Sequence, residues 1–380
     1  MQSIYFTEEL NMLRDQIRRF VETEVVPHGE DWEESGEIPR DRLKKMGSLG
    51  FLGMRYAEEY GGAELDAVAS AVLAEELGRS TFGGFSAMTL VHTDMASPHL
   101  ERYGNKDQLK KYLPRIIKGE ILSAIGVTEP DVGSDVAGMK TRAVKDGDDY
   151  IINGSKMFIT NGVSADVLFV AARTDPDAKS SRGITMFIID RDMPGFSVGR
   201  SLDKMGWLCS DTAVLNFDDV RVPKENILGE LNKGFYAIMS NFQNERLVLG
   251  AMAMGEAAKA IELTLDYVKT RKAFGATLFD KQAIRQRLAM AAAKVEAGRQ
   301  LVYHAAWMDA QGMDSVKEVS MAKALCAEMV NEIIYDCVQF HGGAGYLRES
   351  AIERMFRDAR LHPIGGGATE VMLEEISKRQ

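Results

Sequence analysis

Residues 124–135 read Ala-Ile-Gly-Val-Thr-Glu-Pro-Asp-Val-Gly-Ser-Asp, an apolar run that becomes polar within a few positions. Two glycines and a proline lie among hydroxyl and carboxylate side chains. Such a stretch lets the backbone come close to a ligand while polar side chains fix the ligand's orientation. Taken alone, the same composition suits an ordinary strand that ends in a turn, and that simpler interpretation is favoured.

A second stretch, residues 156–162, reads Lys-Met-Phe-Ile-Thr-Asn-Gly and again places an aromatic side chain and a hydroxyl next to a turn. Together the two stretches resemble the flavin-binding segments of the acyl-CoA dehydrogenase family. The family has a characteristic order of domains, so the pattern of the remaining residues can be compared with that order.

Length and composition limit the class of protein. At 380 residues the chain is too long for one ordinary core, so we expect two or three domains. The net charge of −10 argues against a nucleic-acid surface, and the three cysteines lack a CxxC spacing, which indicates a reducing compartment without a zinc site. Residues 1–20 are amphipathic and contain acidic residues, unlike a targeting peptide, and no apolar run reaches the ~20 residues of a membrane span. We therefore expect a cytoplasmic protein.

The hydrophobic pattern divides the chain into three regions. Residues 1–120 have apolar residues at helical spacing and predict helices at 8–25, 40–46, 67–77, 87–100 and 106–117. Residues 121–230 contain short β-rich runs at 150–152, 167–170, 185–189 and 213–217, without a long helix between them, so an antiparallel barrel or sandwich is expected. Residues 231–380 predict long helices at 235–271, 281–311 and 315–340, which suggest an antiparallel bundle, followed by shorter helices at 351–360 and 369–378.

This α–β–α order is that of the acyl-CoA dehydrogenase family, and the resemblance extends over the whole chain. Further stretches similar to the family are 211–217 with 219–223, 229–235, 271–275 (Arg-Lys-Ala-Phe-Gly) and 339–345 (Gln-Phe-His-Gly-Gly-Ala-Gly). The resemblance implies an α+β multidomain fold, with an N-terminal helical domain, a middle antiparallel β-barrel-like domain and a C-terminal four-helix bundle. It also implies an FAD-dependent dehydrogenase that passes electrons to an electron-transfer flavoprotein, assembled as a homotetramer (a dimer of dimers).

By resemblance, FAD lies between the β-domain and the C-terminal helices, and a neighbouring subunit closes over it. The flavin ring would meet the backbone around Ile125 and Val127 and the side chains of the two opening stretches. Phe158 replaces a usual Trp, and Arg271 would pair with the pyrophosphate. The remaining residues implied at the cofactor, several of them from the partner chain, are Thr128, Ser134, Ile159, Thr160, Phe274, Gln282, Gln339, Gly342, Gly343, Thr369 and Glu370.

Many family members place the catalytic base, a Glu, in a Tyr-Glu-Gly-Thr turn before the last helix. Here residues 364–370 read Ile-Gly-Gly-Gly-Ala-Thr-Glu, so Gly366 stands at the Glu position and Glu370 is a poor substitute. The long-chain and isovaleryl-CoA branches instead have the base in a Glu-Arg-Leu sequence on the long helix. That sequence occurs here at Glu245, and we expect Glu245 to be the base, with its pKa raised by burial. The backbone N–H of Gly366 would help to polarise the thioester carbonyl.

The substrate contacts implied by resemblance are Ser134 for the pantetheine arm and Arg246 for the CoA part. Relatives often have an Asp two residues before the Glu, at the position that Gln243 occupies here. Gly365 and Gly367 complete the turn. The small turn residues predict open space near the acyl chain, and therefore a 3-methyl-branched or a long-chain acyl-CoA. Two alternatives stay open: an acyl-CoA oxidase, and a catalytically silent flavoprotein that acts as a binding or assembly partner.

Overall fold

A computed structural model describes residues 4–178 and 181–380; the first three residues of the predicted N-terminal region lie outside it. The N-terminal helices begin at polar caps: Thr7 caps α1, Asp66 caps α4, and Asn105 forms a capping box with Gln108 at α7. The helices are α1 (Glu8–Phe20), α2 (Gly29–Ser35), α3 (Arg40–Ser48), α4 (Ala67–Gly78), α5 (Gly83–Leu90), α6 (Ser97–Tyr103) and α7 (Lys106–Ile117).

The helix predicted at residues 87–100 is interrupted. Its central part, Val91–Ala96, is π-helical and separates α5 from α6. Pro98 lies in the first turn of α6 and has no N–H to donate to the carbonyl of Asp94, four residues earlier. A similar π-helical turn, Val21–Val25, ends α1 where the sequence predicted a continuous helix to residue 25.

The middle region is one mixed sheet. Its strands are β1 (Ser123–Gly126), β2 (Arg142–Asp146), β3 (Asp149–Thr160), β4 (Val167–Arg173), β5 (Ile184–Asp190), β6 (Phe196–Ser201), β7 (Thr212–Val222) and β8 (Ile227–Leu228). The order is β6-β7-β3-β2-β4-β5-β8, with β1 beside β4. Most pairings are antiparallel, as predicted, but β1 and β2 each run parallel to β4.

The C-terminal region follows the prediction to within two residues at each end of its long helices. It comprises α8 (Gly234–Thr270), the hairpin β9 (Lys272–Ala273) and β10 (Ala276–Thr277), α9 (Gln282–Ala310), α10 (Val316–His341), α11 (Ala351–Ala359) and α12 (Thr369–Ser377). The helices α8, α9 and α10 pack together, and α11 and α12 pack on α10.

The N-terminal and C-terminal helices share one apolar core. The helix α4 crosses α8 so closely that a Cβ on Gly78 or on Gly255 would overlap backbone of the other helix. This crossing brings the π-helical segment Val91–Ala96 against α8, where Glu245 lies. None of the helices within the described residues has the length and apolar character needed to span a membrane.

Candidate active site

The two stretches that open the sequence analysis lie side by side. The Met157 N–H donates to the carbonyl of Thr128 at 2.9 Å, and the Lys156 Nζ donates to the carbonyl of Val127 at 3.0 Å. The strand β1 that leads into the first stretch is held by its parallel pairing with β4. The sheet therefore presents both stretches as one surface.

A buried ion pair fastens this surface from behind. The Lys156 Nζ lies 2.8 Å from Glu129 Oε1, and both side chains are buried. The carboxylate of Glu129 also accepts the backbone N–H of Lys140 at 2.6 Å and that of Thr141 at 2.9 Å. Burial acts to raise the pKa of Glu129, but Lys156 and these donors hold it below its ordinary value. Burial lowers the pKa of Lys156 to about 8, although the Glu129 carboxylate opposes the shift. No local sequence pattern predicts this pair.

A bulge aims Phe158 outward. The pairing of β3 with β7 shifts register between Lys156 and Ile159, and Phe158 adopts a positive φ of 61°. The Phe158 ring is 61% exposed, whereas the side chain of Ile159 is buried in the sheet core, so only the backbone of Ile159 is available to a ligand.

The outer surface of these stretches suits a planar ring with polar edges. Ile125, Val127, Thr128 and Thr160 are half-buried, and Ser134 is exposed. Within the described residues, the hydroxyls of Thr128 and Thr160 form no hydrogen bond with the protein. An exposed aromatic wall beside two unpartnered hydroxyls fits the isoalloxazine ring of FAD, which presents an apolar face and polar edges.

A second set of predicted cofactor residues gathers at one end of the helical bundle. Tyr267, near the end of α8, stacks on His341 at the end of α10 with ring centroids 4.4 Å apart, and donates to its carbonyl at 3.1 Å. Beyond it, the tip of the β9–β10 hairpin holds Phe274 97% exposed with a φ of 52°. The other members of this set are also exposed or half-buried in the single chain: Arg271, Gln282, Gln339, Gly342 and Gly343.

Glu245 lies on α8 with its side chain buried. Its side chain is 7% exposed, and burial raises its pKa to about 8 against the opposing effects of Asn241 and Arg246. Asn241 Nδ2 lies 3.2 Å from Glu245 Oε1. Within the described residues, the second oxygen, Oε2, accepts no hydrogen bond. A carboxyl group in this setting has the raised basicity that abstraction of a carbon-bound proton requires.

The turn before α12 packs on α8 one helical turn beyond Glu245. Gly366 has a φ of 61°, and a Cβ at this position would overlap the Leu249 side chain. The prediction that the small turn residues leave open space is therefore wrong at Gly366, because Leu249 fills that space. At Gly365 a Cβ would fit in ordinary contact with Leu361, whose Cγ would be its nearest neighbour at 3.6 Å.

Lys323 of α10 supports the same turn from within the protein. Its buried Nζ donates to the carbonyl of His362 at 2.6 Å and to the carbonyl of Gly367, so one ammonium joins both ends of the turn. Burial, together with the positive charge of Arg246, lowers the pKa of Lys323 to about 8. In the part of the chain that the structure describes, the Gly366 N–H donates no hydrogen bond and remains available to a ligand.

The remaining predicted residues lie on α8 and in the first turn of α12. Arg246 is buried, its guanidinium lies 5.4 Å from the centroid of the Phe242 ring, and its Nε is buried without a partner among the described residues. Gln243 is half-buried. Thr369 donates to Glu328 Oε1 at 2.7 Å, and Glu370 is exposed on α12.

Three residues that contact this site were not identified from the sequence: Asn241, Leu249 and Lys323. The only signal for Lys323 was a lysine in an apolar stretch of a long helix, and Asn241 resembled any polar residue near a helix start. Their contacts come from elements distant in sequence, which periodicity does not reveal.

Comparison with known proteins agrees with this geometry. Family models match three consecutive parts of the chain: the acyl-CoA dehydrogenase N-terminal domain at residues 7–120, the middle domain at 124–220 and the C-terminal domain at 232–380. The chain therefore belongs to the acyl-CoA dehydrogenase family. It is an FAD-dependent flavoprotein oxidoreductase that acts on CH–CH bonds.

Individual relatives are similar over nearly their full length. The chain is 40% identical to the mitochondrial long-chain specific acyl-CoA dehydrogenase of Sus scrofa, covering 98% of this chain and 86% of the relative. It is 38% identical to the mitochondrial isovaleryl-CoA dehydrogenase of Pongo abelii, covering 96% and 87%. The crystal structure of an acyl-CoA dehydrogenase from Geobacillus kaustophilus has a TM-score of 0.95 and 42% identity, covering 100% and 99%. The FAD complex of PigA, 27% identical with a TM-score of 0.95, covers the same shares.

Proposed function

We propose that this protein oxidises an acyl-CoA that is branched at C3 or has a long chain to the trans-2-enoyl-CoA, with Glu245 as the base. The observation that carries the proposal is the buried Glu245, one helical turn from Leu249, which contacts Gly366. Where many relatives have a carboxylate in the turn, this chain has none and instead has one on α8. Similarity to both a long-chain and an isovaleryl-CoA enzyme supports the proposal of these two substrate classes.

Glu245 would take the proton from the substrate's Cα. In the apolar surroundings of α8 the carboxylate is poorly solvated, which raises its affinity for that proton. The free N–H of Gly366 would donate to the thioester oxygen, where negative charge develops as the Cα–H bond breaks, and so makes the proton more acidic. Bound FAD supplies the acceptor for the hydride that leaves Cβ.

The chain's own residues fall into three roles in this proposal. Ile125, Val127, Thr128, Phe158, Ile159, Thr160, Thr369 and Glu370 would hold FAD from one subunit. The exposed set at the end of the bundle would hold the adenosine and pyrophosphate parts of FAD bound to a neighbouring subunit, which makes a homotetramer the functional form. Ser134, Gln243, Arg246, Gly365 and Gly367 would contact the acyl-CoA.

The electron acceptor in this proposal is an electron-transfer flavoprotein, and the compartment is the cytoplasm. The three cysteines support a reducing compartment, because all are free and buried.

A panel of acyl-CoA thioesters tests the activity and the substrate class together. The purified flavoprotein is mixed anaerobically with butyryl-, octanoyl-, palmitoyl-, isovaleryl- and citronellyl-CoA, and loss of flavin absorbance is followed. We expect rapid bleaching by the branched or the long-chain thioesters, and a loss of at least about 10³-fold in the Glu245→Gln variant. Near wild-type bleaching by Glu245→Gln would remove Glu245 as the base, and no bleaching by any thioester would contradict the dehydrogenase.

A further inference from the structure

Asn241 lies one helical turn before Glu245 on α8, and its side chain is fully buried. Its Nδ2 faces three oxygens: Glu245 Oε1 at 3.2 Å, the carbonyl of Asp94 at 3.0 Å and the carbonyl of Met95 at 3.2 Å. Rotating the amide by half a turn would place Oδ1 against these oxygens. The orientation is therefore fixed, and Asn241 presents an N–H donor to the carboxyl group of Glu245.

The backbone that fixes the Asn241 side chain is π-helical. Asp94 and Met95 belong to the π-helical segment Val91–Ala96, and Pro98 has no N–H with which to occupy the Asp94 carbonyl. That carbonyl accepts the side-chain amides of both Asn241 and Asn244, the latter at 2.8 Å. The irregular helix thus supplies acceptors that a regular α-helix would use internally, and these acceptors point at α8.

We propose that Asn241 is a positioning residue for Glu245, holding Oε1 so that Oε2 is the atom that takes the proton from the substrate. This inference rests on the proposed function. In the step, the Cα–H bond breaks and an Oε2–H bond forms, while the electron pair of the Cα–H bond stays with the substrate, delocalised toward the thioester oxygen. The proposed FAD-dependent dehydrogenation then removes the hydride from Cβ.

A donor at Oε1 also affects the charge state of the base. An N–H donor stabilises the ionised carboxylate and so opposes the desolvation that would keep Glu245 protonated. Titratable groups near the site include Arg246 on α8, the buried Asp94 on the π-helical segment, Lys323 on α10, and Arg55, whose Nη1 donates to Asn244 Oδ1 at 2.6 Å. Within the described residues, the side chain that hydrogen-bonds the Glu245 carboxyl is the neutral amide of Asn241.

Exchange of the α-proton measures this step apart from hydride transfer. A 3-thiaacyl-CoA has sulfur in place of Cβ, so it can lose an α-proton but has no β-hydride to give. The FAD-loaded protein is incubated in D₂O with 3-thiaoctanoyl-CoA, and deuterium uptake at the α-carbon is measured by mass spectrometry from pH 6 to 10. Wild-type, Asn241→Leu, Asn241→Ala and Asn244→Leu proteins are compared.

We expect both Asn241 variants to move the midpoint of the exchange profile up by about one pH unit, with about tenfold slower exchange below the midpoint and near wild-type exchange well above it. Asn244→Leu removes an amide that bonds the same Asp94 carbonyl but does not touch Glu245, so its midpoint stays at the wild-type value. An equal loss at every pH in the Asn241 variants, or an equal midpoint shift in Asn244→Leu, would overturn the inference.

The same measurement separates this inference from the proposed function. If the wild-type protein binds the 3-thiaacyl-CoA but exchanges no α-proton, the proposed dehydrogenation itself fails. If the wild-type exchanges and the Asn241 variants keep its midpoint, only the positioning role fails. If Asn241→Leu does not retain FAD, the comparison with wild type is made with Asn241→Ala, whose smaller side chain cannot clash.

Discussion

The side chain of Leu249 occupies the space into which a side chain on Gly366 would project. Leu249 lies on α8, one helical turn after Glu245, and Gly366 lies on the turn before α12. A side chain in the turn at position 366 would therefore require the Leu249 side chain to move.

Restoring a turn carboxylate by Gly366→Glu should lower stability by about 1–3 kcal/mol, because the new side chain clashes with Leu249 and the positive φ of 61° strains any non-glycine residue. The double variant Gly366→Glu with Leu249→Ala should recover the part due to the clash. Chemical denaturation of the four proteins of this cycle gives the coupling energy. Gly365→Ala is the control, since it has room for a Cβ. A coupling near zero would show that Leu249 is not the obstacle.

Glu245→Gln should stabilise the protein at alkaline pH. Glu245 has a folded-state pKa of about 8 against an ordinary value of 4.5, so between these values the folded chain keeps a proton that the unfolded chain releases. Wild-type stability therefore falls as pH rises from 4.5 to 8, a loss that the neutral Gln does not suffer. We expect the variant to be more stable by about 4–5 kcal/mol at pH 8.5 and nearly equal to the wild type near pH 4.5. A constant difference at both pH values would mean that Glu245 is not held protonated.

The sequence predicted those parts of the fold that depend on local patterns. The helix at residues 106–117 has the predicted bounds, because a capping box marks its start and its apolar period ends at Ile117. The three long helices also follow the prediction, since nothing interrupts their apolar period. The π-helical segment Val91–Ala96 was missed because its stabilising contacts come from Asn241 and Asn244 on a distant helix.

Those parts of the candidate site that depend on local sequence patterns were also predictable. Glu245 was recognised from a sequence motif, and its burial follows from the apolar residues that surround it on α8. The Lys156–Glu129 pair joins residues 27 positions apart, and no local pattern distinguishes a buried lysine from an exposed one on a strand. The space at Gly366 was misjudged because it depends on a rotamer of Leu249, which no sequence pattern specifies.

Breaking the buried Lys156–Glu129 pair should lower the free energy of unfolding. Glu129→Gln preserves shape but leaves the buried Lys156 ammonium without its counter-charge, and we expect a loss of about 3–5 kcal/mol in urea unfolding. The neighbouring pair Lys140–Asp131 is a matched control, because its side chains are 71% and 74% exposed. Asp131→Asn should change stability by less than about 1 kcal/mol. Equal effects of the two variants would show that burial does not make the Lys156–Glu129 pair more important to stability than an exposed pair.

Lys323→Met tests how the turn before α12 is supported. The variant keeps the length of the side chain but leaves the carbonyls of His362 and Gly367 without their donor. We expect a loss of about 1–3 kcal/mol in stability and slower flavin reduction by substrate, because the turn that carries the Gly366 N–H loses its anchor. Lys317→Met on the same helix, half-exposed, should leave both quantities near wild type. Full activity in Lys323→Met would show that the turn keeps its position without the ammonium.

Phe274 should matter to FAD only in the assembled protein. At 97% exposure its ring contributes little to the folding of a single chain, so Phe274→Ala should leave the unfolding of the FAD-free protein within about 0.5 kcal/mol of wild type. If the ring packs on FAD bound to a neighbouring subunit, the same variant should weaken FAD binding about tenfold in a fluorescence titration. Met12→Ala is the control, because Met12 is 68% exposed on α1, and this variant should leave FAD affinity unchanged.

A dilution experiment adds a second check on the role of the neighbouring subunit. Dilution of the wild-type protein below the dissociation constant of its subunits should weaken FAD binding. FAD affinity that responds neither to dilution nor to loss of the Phe274 ring would place the whole cofactor site within one chain.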